Sequence, residues 1–215
     1  HLTNRRQRQM CIRDRMATAL LLFQPNITSI AQNNHNLKDI AGTTWTINSE
    51  KSSATFETSY MKIKQMSGIF QTLTGEIVID SILKKSTVDI SLDIKSLEVE
   101  KEEDKNILLG KKFFDADNHS TSQFQSEKIG VDTDACYVAI GNLNIKNIKQ
   151  QNSRIRFVYK GLDELNCAHF VGTAYFNRKK HKVGNEGLNS MDEKVKIVLD
   201  IIADPAGEML NMCDK

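Results

Sequence analysis

Most active sites are built from histidines, cysteines or clustered carboxylates, and in this chain those residues are scattered. His35, His119, His169 and His181 stand far apart, and a metal site would need two or three of them to converge. His119 follows Asp117-Asn118 in a predicted loop, and His169 just precedes a predicted strand. A lone histidine in either setting is more often a solvated side chain than a catalyst. Cys11, Cys136, Cys167 and Cys213 contain no CxxC spacing. Cys136 could pair with Cys167 in an exported protein, or both stay unpaired and partly buried. Glu98, Glu100, Glu102, Glu103 and Asp104 form an acidic run without the EF-hand pattern, which reads as a solvated strand end entering a helix. The sequence contains no GxSxG, no HExxH and no Gly-rich phosphate loop. The aromatics are more informative. Phe56, Phe70, Phe113, Phe114, Phe124, Phe157, Phe170 and Phe176 recur at inward or loop-adjacent positions. They serve either as an ordinary core or as the lining for a long apolar ligand.

The elements that must position these residues are strands. Ala54, Phe56, Thr58 and Tyr60 share one face. Gly75, Ile77 and Ile79 alternate with Glu76 and Asp80, and Val88, Ile90, Leu92 and Ile94 alternate with polar neighbours. Tyr137 to Ile145, Ile155 to Tyr159 and Val195 to Ile201 repeat the pattern. A period of two with one charged face predicts half-buried antiparallel strands. Turns are expected at Asn48–Glu50, Leu83–Ser86, Gly130–Asp134, Gly161–Asn166 and Gly184–Gly187. Between them, acidic Glu102-Glu103-Asp104 precede Ile107-Leu108-Leu109 and then Gly110, which predicts one short helix over Glu102–Leu109. Many antiparallel strands with one helix predict an all-β fold, a closed barrel or a sandwich. A barrel of about eight strands can hold one elongated ligand.

Composition narrows the function. The chain has 215 residues, 40% hydrophobic and 26% charged, with 11 Gly and 2 Pro, which excludes collagen-like, coiled-coil and largely disordered chains. No run approaches the ~20 apolar residues of a membrane span. The net charge of +2 is local, because residues 1–15 hold five arginines against Asp14. The remainder has 24 basic and 26 acidic residues, so no nucleic-acid partner is expected. Residues 1–15 read as a foreign, adapter-like segment. Residues 16–31 read as a signal-peptide remnant, with Ala19–Phe23 as its apolar stretch and Ser29-Ile30-Ala31 before a cleavage site. Residues 32–42 are expected to be a flexible linker, 43–205 the barrel domain and 206–215 a tail.

Several stretches together resemble one family. They are Trp45-Thr46-Ile47-Asn48, Ser52 to Phe56, Met66 to Phe70, Ser96-Leu97, Lys112 to Asp115, Phe124-Gln125-Ser126, Gly141 to Lys146 and Phe176-Asn177-Arg178. In order and spacing the chain resembles the YceI-like family, bacterial periplasmic proteins with a lipocalin-like barrel that bind polyisoprenoids. Some positions depart from its pattern. Lys51 and Tyr60 stand where the family often has histidine, Asn48 replaces the usual Asp, and Lys179-Lys180-His181 replace an acidic-aromatic step. The resemblance implies an eight-stranded antiparallel lipocalin-like barrel, export to the periplasm or beyond, and carriage or storage of an isoprenoid lipid or quinone. It implies no covalent cofactor, no metal site and no catalysis, and homodimers occur among such relatives.

On this basis the ligand tail is expected against Phe56, Phe70, Ile77, Ile90, Leu92, Phe113, Phe114 and Phe124. Tyr60, Asn177 and Arg178 are the candidates at the mouth, with Arg178 placed either on a ligand head group or on the exterior. Two rival readings remain. One is a barrel-mouth enzyme using His169 or His181 beside a carboxylate. The other is an interaction barrel with a filled interior.

Overall fold

The alternation of apolar and charged residues becomes strand pairing around a closed cylinder. The computed structural model describes residues 35–61, 64–133, 136–184 and 191–206. The expected foreign segment, the signal remnant, Cys11, Cys213 and nearly all of the tail lie outside the described residues. Eleven strands are present: β1 (Thr43–Ile47), β2 (Ser53–Tyr60), β3 (Lys64–Phe70), β4 (Leu73–Ile79), β5 (Thr87–Asp93), β6 (Leu97–Glu98), β7 (Thr121–Thr133), β8 (Cys136–Ile145), β9 (Ile148–Leu162), β10 (Ala168–Asn177) and β11 (Lys194–Pro205). All the pairings are antiparallel.

Three staves of the barrel are each broken once. β1 pairs with the end of β11 (Ile47 opposite Ala203), and β2 pairs with its earlier part (Ala54 opposite Leu199). They therefore run collinearly along one neighbour. β3 with β4 and β5 with β6 continue one another in the same way, through β2–β3, β1–β4, β4–β5 and β3–β6. Eight staves result, in sequence order, closed by β1 and β2 on β11. Asn48–Glu50, expected as a turn, is one, and it makes a jog within one stave. Asn48 Oδ1 accepts from the Glu50 and Lys51 amides there (3.1 Å each). Gly130, expected to open a turn, lies inside β7, opposite Val138.

The two ends of the barrel differ. At one end residues 35–42, the described part of the expected linker, are structured. Leu37–Ile40 form a 3-10 turn whose Leu37 and Ile40 are buried, because both find apolar partners in the core. Asn36 and Asp39 cap this turn reciprocally, and the Tyr137 hydroxyl accepts from the Leu37 amide at 3.2 Å. Below it, stacked aromatics fill the cylinder. Tyr137–Phe157, Phe157–Phe170 and Tyr159–Phe170 have ring centroids 5.6, 6.4 and 5.4 Å apart. Burial pushes the Tyr159 pKa up to about 12, helped by Asp39. At the other end, α1 (Glu102–Leu109), the loop 110–120 and the described parts of the β10–β11 connection, 178–184 and 191–193, contribute side chains over the opening. Helix α1 spans the predicted residues and buries only Leu108.

Candidate functional site

Under that cap lies an apolar cavity. Its walls come from inward positions of β2, β3, β5 and β7–β11, and its roof from Leu108, Phe113, Phe114, Val183 and Met191. The space between atoms measures about 1100 Å³, mouth included. Water-molecule centres could occupy about 120 Å³ of it, against the ~10–15 Å³ that one water needs. Phe70 stands between Phe56 and Phe114, with ring centroids 6.2 and 5.8 Å away. A smaller void of about 20 Å³ lies beneath, toward the aromatic plug, and shares Ile90, Ile155 and Leu199 with the main cavity.

The sequence expectations divide in two. Phe56, Phe70, Ile90, Leu92, Phe113, Phe114, Phe124 and Arg178 line the main cavity. Ile77 lines the lower void instead, since it sits near the β1 end of its stave. Tyr60, at the exposed end of β2, is 37% exposed and bridges to Met191. Asn177 caps a turn: its Oδ1 accepts from the amides of Lys179 and Lys180 at 3.0 and 3.2 Å. Leu108, Val183 and Met191 were not anticipated, because they come from a helix and a loop with no strand period. Met66, Val195, Ile197 and Leu199 also face inward along their strands.

Arg178 sits neither on the exterior nor ready for a head group. It is 1% exposed, and its Nε, Nη1 and Nη2 donate to the carbonyls of Asp192, Val183 and Met191 at 3.0, 3.2 and 3.0 Å. Burial lowers its pKa and nearby Glu193 works against that. The guanidinium thus clasps the β10–β11 connection over the cavity. Lys146 adds a second fastening: its Nζ donates to the Phe113 carbonyl at 2.6 Å and to the Lys182 carbonyl at 3.0 Å. Thr58 is different. It lines the cavity, is buried, and its Oγ1 has no hydrogen-bond partner. A hydroxyl kept that way is costly unless an occupant completes it.

No cavity-lining histidine stands beside a carboxylate among the described residues. His169 lies within β10, not before it, and pairs with Asp200 at 2.7 Å on the partly exposed outer face. His181 is fully buried, stacks edge-on against Phe176 at 5.9 Å, and neither ring nitrogen makes a hydrogen bond of good geometry. Burial lowers its pKa, with the backbone at Ile145 and Ile148 opposing. Among the described residues no group of three or more His, Cys, Asp or Glu converges to hold a metal. Cys136 and Cys167 are both disulfide-bonded.

A family model, the YceI-like domain, matches residues 45–203. Among solved structures, Burkholderia cenocepacia BcnA superposes with a TM-score of 0.67 at 17% identity, over 74% of this chain and 99% of that one. A polyisoprenoid-binding domain from Saccharophagus degradans, implicated in plant cell wall breakdown, gives 0.57 at 8% identity over 76% and 99%. A Campylobacter jejuni YceI protein gives 0.56 at 16% over 68% and 88%. No curated protein matches the chain in sequence. At such identities the solved structures speak for the fold alone. The family match spans the strands from β1 to β11 that enclose the cavity, and by it the chain belongs to the YceI-like family.

Proposed function

We propose that this protein holds a polyisoprenoid or similar long-chain amphiphile, a quinone or prenyl lipid, in its apolar cavity, for carriage or storage. One observation carries this reading: a cavity walled by Phe, Ile, Leu, Val and Met under a fastened cap, with about 120 Å³ open to the centres of water-sized molecules. An apolar void of this size is costly when empty, because its lining atoms lack partners. Each methylene placed there contributes about 0.8 kcal/mol, so ten offer about 8 kcal/mol, near micromolar affinity before ordering costs. Membership of the YceI-like family and the neighbouring polyisoprenoid-binding domain support the same ligand class.

The aromatic plug bounds the ligand. A tail entering from the cap can extend as far as the lower void and no further without repacking Phe157 and Phe170. Thr58 is the polar handle we assign to it, in place of Tyr60, Asn177 and Arg178. A quinone carbonyl or prenyl hydroxyl bonded to Thr58 Oγ1 would satisfy both partners. Location in the bacterial periplasm or outside the cell belongs to this reading. The disulfide-bonded state of Cys136 and Cys167 fits an oxidising compartment.

Phe114→Asp tests the reading at the roof of the cavity. A carboxylate there replaces an aromatic wall, and an unpaired charge in such a site is prohibitive. Lipid extracted from detergent-free preparations is expected near one molecule per wild-type barrel and at about a tenth of that, or less, in the folded variant. Undiminished lipid in a variant with native circular dichroism would remove Phe114 from the site.

A further inference from the structure

Lysine is concentrated on the cap. The stretches 111–112, 146–149 and 179–182 contain seven lysines and no acidic residue, although the chain beyond residue 15 has more acids than bases. These stretches lie on three different loops, and hydrogen bonds hold them together. The Gly184 amide donates to the Lys112 carbonyl at 2.9 Å, and Lys146 joins Phe113 to Lys182 as described. Lys111, Lys112, Lys149, Lys180 and Lys182 are exposed. The acids nearest in sequence are Asp115, Glu186, Asp192 and Glu193, against seven lysines, and Glu193 is already paired with Lys179 at 2.8 Å.

Exposed apolar side chains occur at the same end. Of six large hydrophobics exposed among the described residues, Tyr60, Met61 and Ile107 belong to the cap end of β2 and to α1. Met61 is 60% exposed and Ile107 56%. A rim that combines several lysines with a few apolar side chains matches the interface of an anionic bilayer, where charge attracts and apolar groups enter the headgroup layer. The acidic run Glu98–Asp104, which includes the first turn of α1, borders a groove along β3 and would be repelled from that surface. The contact therefore centres on the three lysine loops.

We propose that the lysine cap docks this protein on an anionic lipid bilayer, placing the roof of the cavity against the membrane. The inference rests on the lipid-binding reading above, since a cavity that exchanges a membrane lipid through its capped end would meet the bilayer there. Nucleic acid is disfavoured as the partner, because the rest of the molecule is net acidic.

The test is sedimentation of the full chain with vesicles, phosphatidylcholine alone or mixed roughly 3:1 with phosphatidylglycerol. One variant carries Lys111→Glu, Lys112→Glu, Lys180→Glu and Lys182→Glu. A second carries the same charge change on other exposed lysines, Lys38→Glu, Lys84→Glu, Lys85→Glu and Lys160→Glu. Binding to the anionic vesicles is expected for the wild type and the second variant, and at least tenfold weaker for the cap variant. Equal loss in both variants, or no preference of the wild type for anionic vesicles, overturns the proposal. Competition by soluble polyphosphate with no gain from the bilayer also overturns it, leaving a general anion patch. Lipid retained by each variant, measured separately by extraction, distinguishes the two readings. A barrel that docks but retains nothing contradicts the ligand, and one that retains lipid but does not dock contradicts the docking.

Discussion

At the scale of single residues, two of the buried polar groups without a well-formed hydrogen bond differ in what surrounds them. Thr58 Oγ1 faces the cavity, whereas the His181 ring is packed against Phe176 and does not line it. Thr58→Val removes the unpaired hydroxyl and should weaken a short-chain quinone by roughly 3–10-fold, the worth of one hydrogen bond. It should leave an alkane of the same length unaffected. Calorimetric titration of both ligands checks this, and equal losses would remove Thr58 from the head-group role. His181 predicts a pH effect. Burial holds its folded pKa below the ordinary imidazole value of 6.5. Above about 6.5 both folded and unfolded forms are neutral and nothing is lost. As pH falls below that, the unfolded chain binds the proton first, so stability drops until the folded pKa is reached. The difference in urea midpoint between wild type and His181→Leu is therefore expected to move against the wild type between pH 7 and 5. Parallel profiles would contradict a buried neutral His181. Neither environment is legible in sequence: Thr58 is visible only as an inward position, and His181 only as a candidate for a barrel mouth that it does not line.

At the scale of elements, the β10–β11 connection matters most. Arg178 closes it onto β10 through three carbonyls, and Lys146 ties it to the loop after α1. Arg178→Ala would leave those carbonyls buried without donors, a cost of about 2–4 kcal/mol. The expected readouts are a lower urea midpoint and faster hydrogen exchange around Met191–Glu193. Unchanged exchange there would show that the clasp does not hold the cap. Several elements were legible because their alternation is clean: β5 as Val88, Ile90, Leu92 and Ile94, and α1 from its acidic start and Gly110. β3 was not, because Lys64-Gln65-Met66-Ser67-Gly68 mixes polar and small residues on both faces. Gly68 is required there, since a Cβ would meet Phe56 and Val99 side chains 2.5 Å away. β10 was legible only as a strand starting after His169, because its inward face includes the small residues Ala168, Gly172 and Ala174. Small inward residues leave room beside them, and Ala174 is part of the cavity wall. Within the stretch expected as a linker, residues 37–40 show the opposite case. Two apolar residues spaced by three, Leu37 and Ile40, are too few to show periodicity but enough to close one end of the barrel.

At the scale of the whole molecule, eight staves enclose one filled half and one open half. The filled half carries the aromatic stack and sealed end that give the barrel a core independent of any ligand. The open half lies under a cap whose roof side chains come from between the strands. Alternation along strands told inside from outside, but not which inside positions meet and which leave space. That depends on side chains supplied by Phe113, Phe114, Val183 and Met191, which belong to no strand. The family resemblance carried the closed barrel correctly, and the division into halves came from the structure. The central claim is that the open half is occupied by a long-chain lipid. Native mass spectrometry of protein purified without detergent, followed by organic extraction, tests it most directly. The account predicts one isoprenoid or comparable long-chain lipid per barrel. A bare protein mass, together with no uptake of added quinone or prenyl lipid, would contradict it.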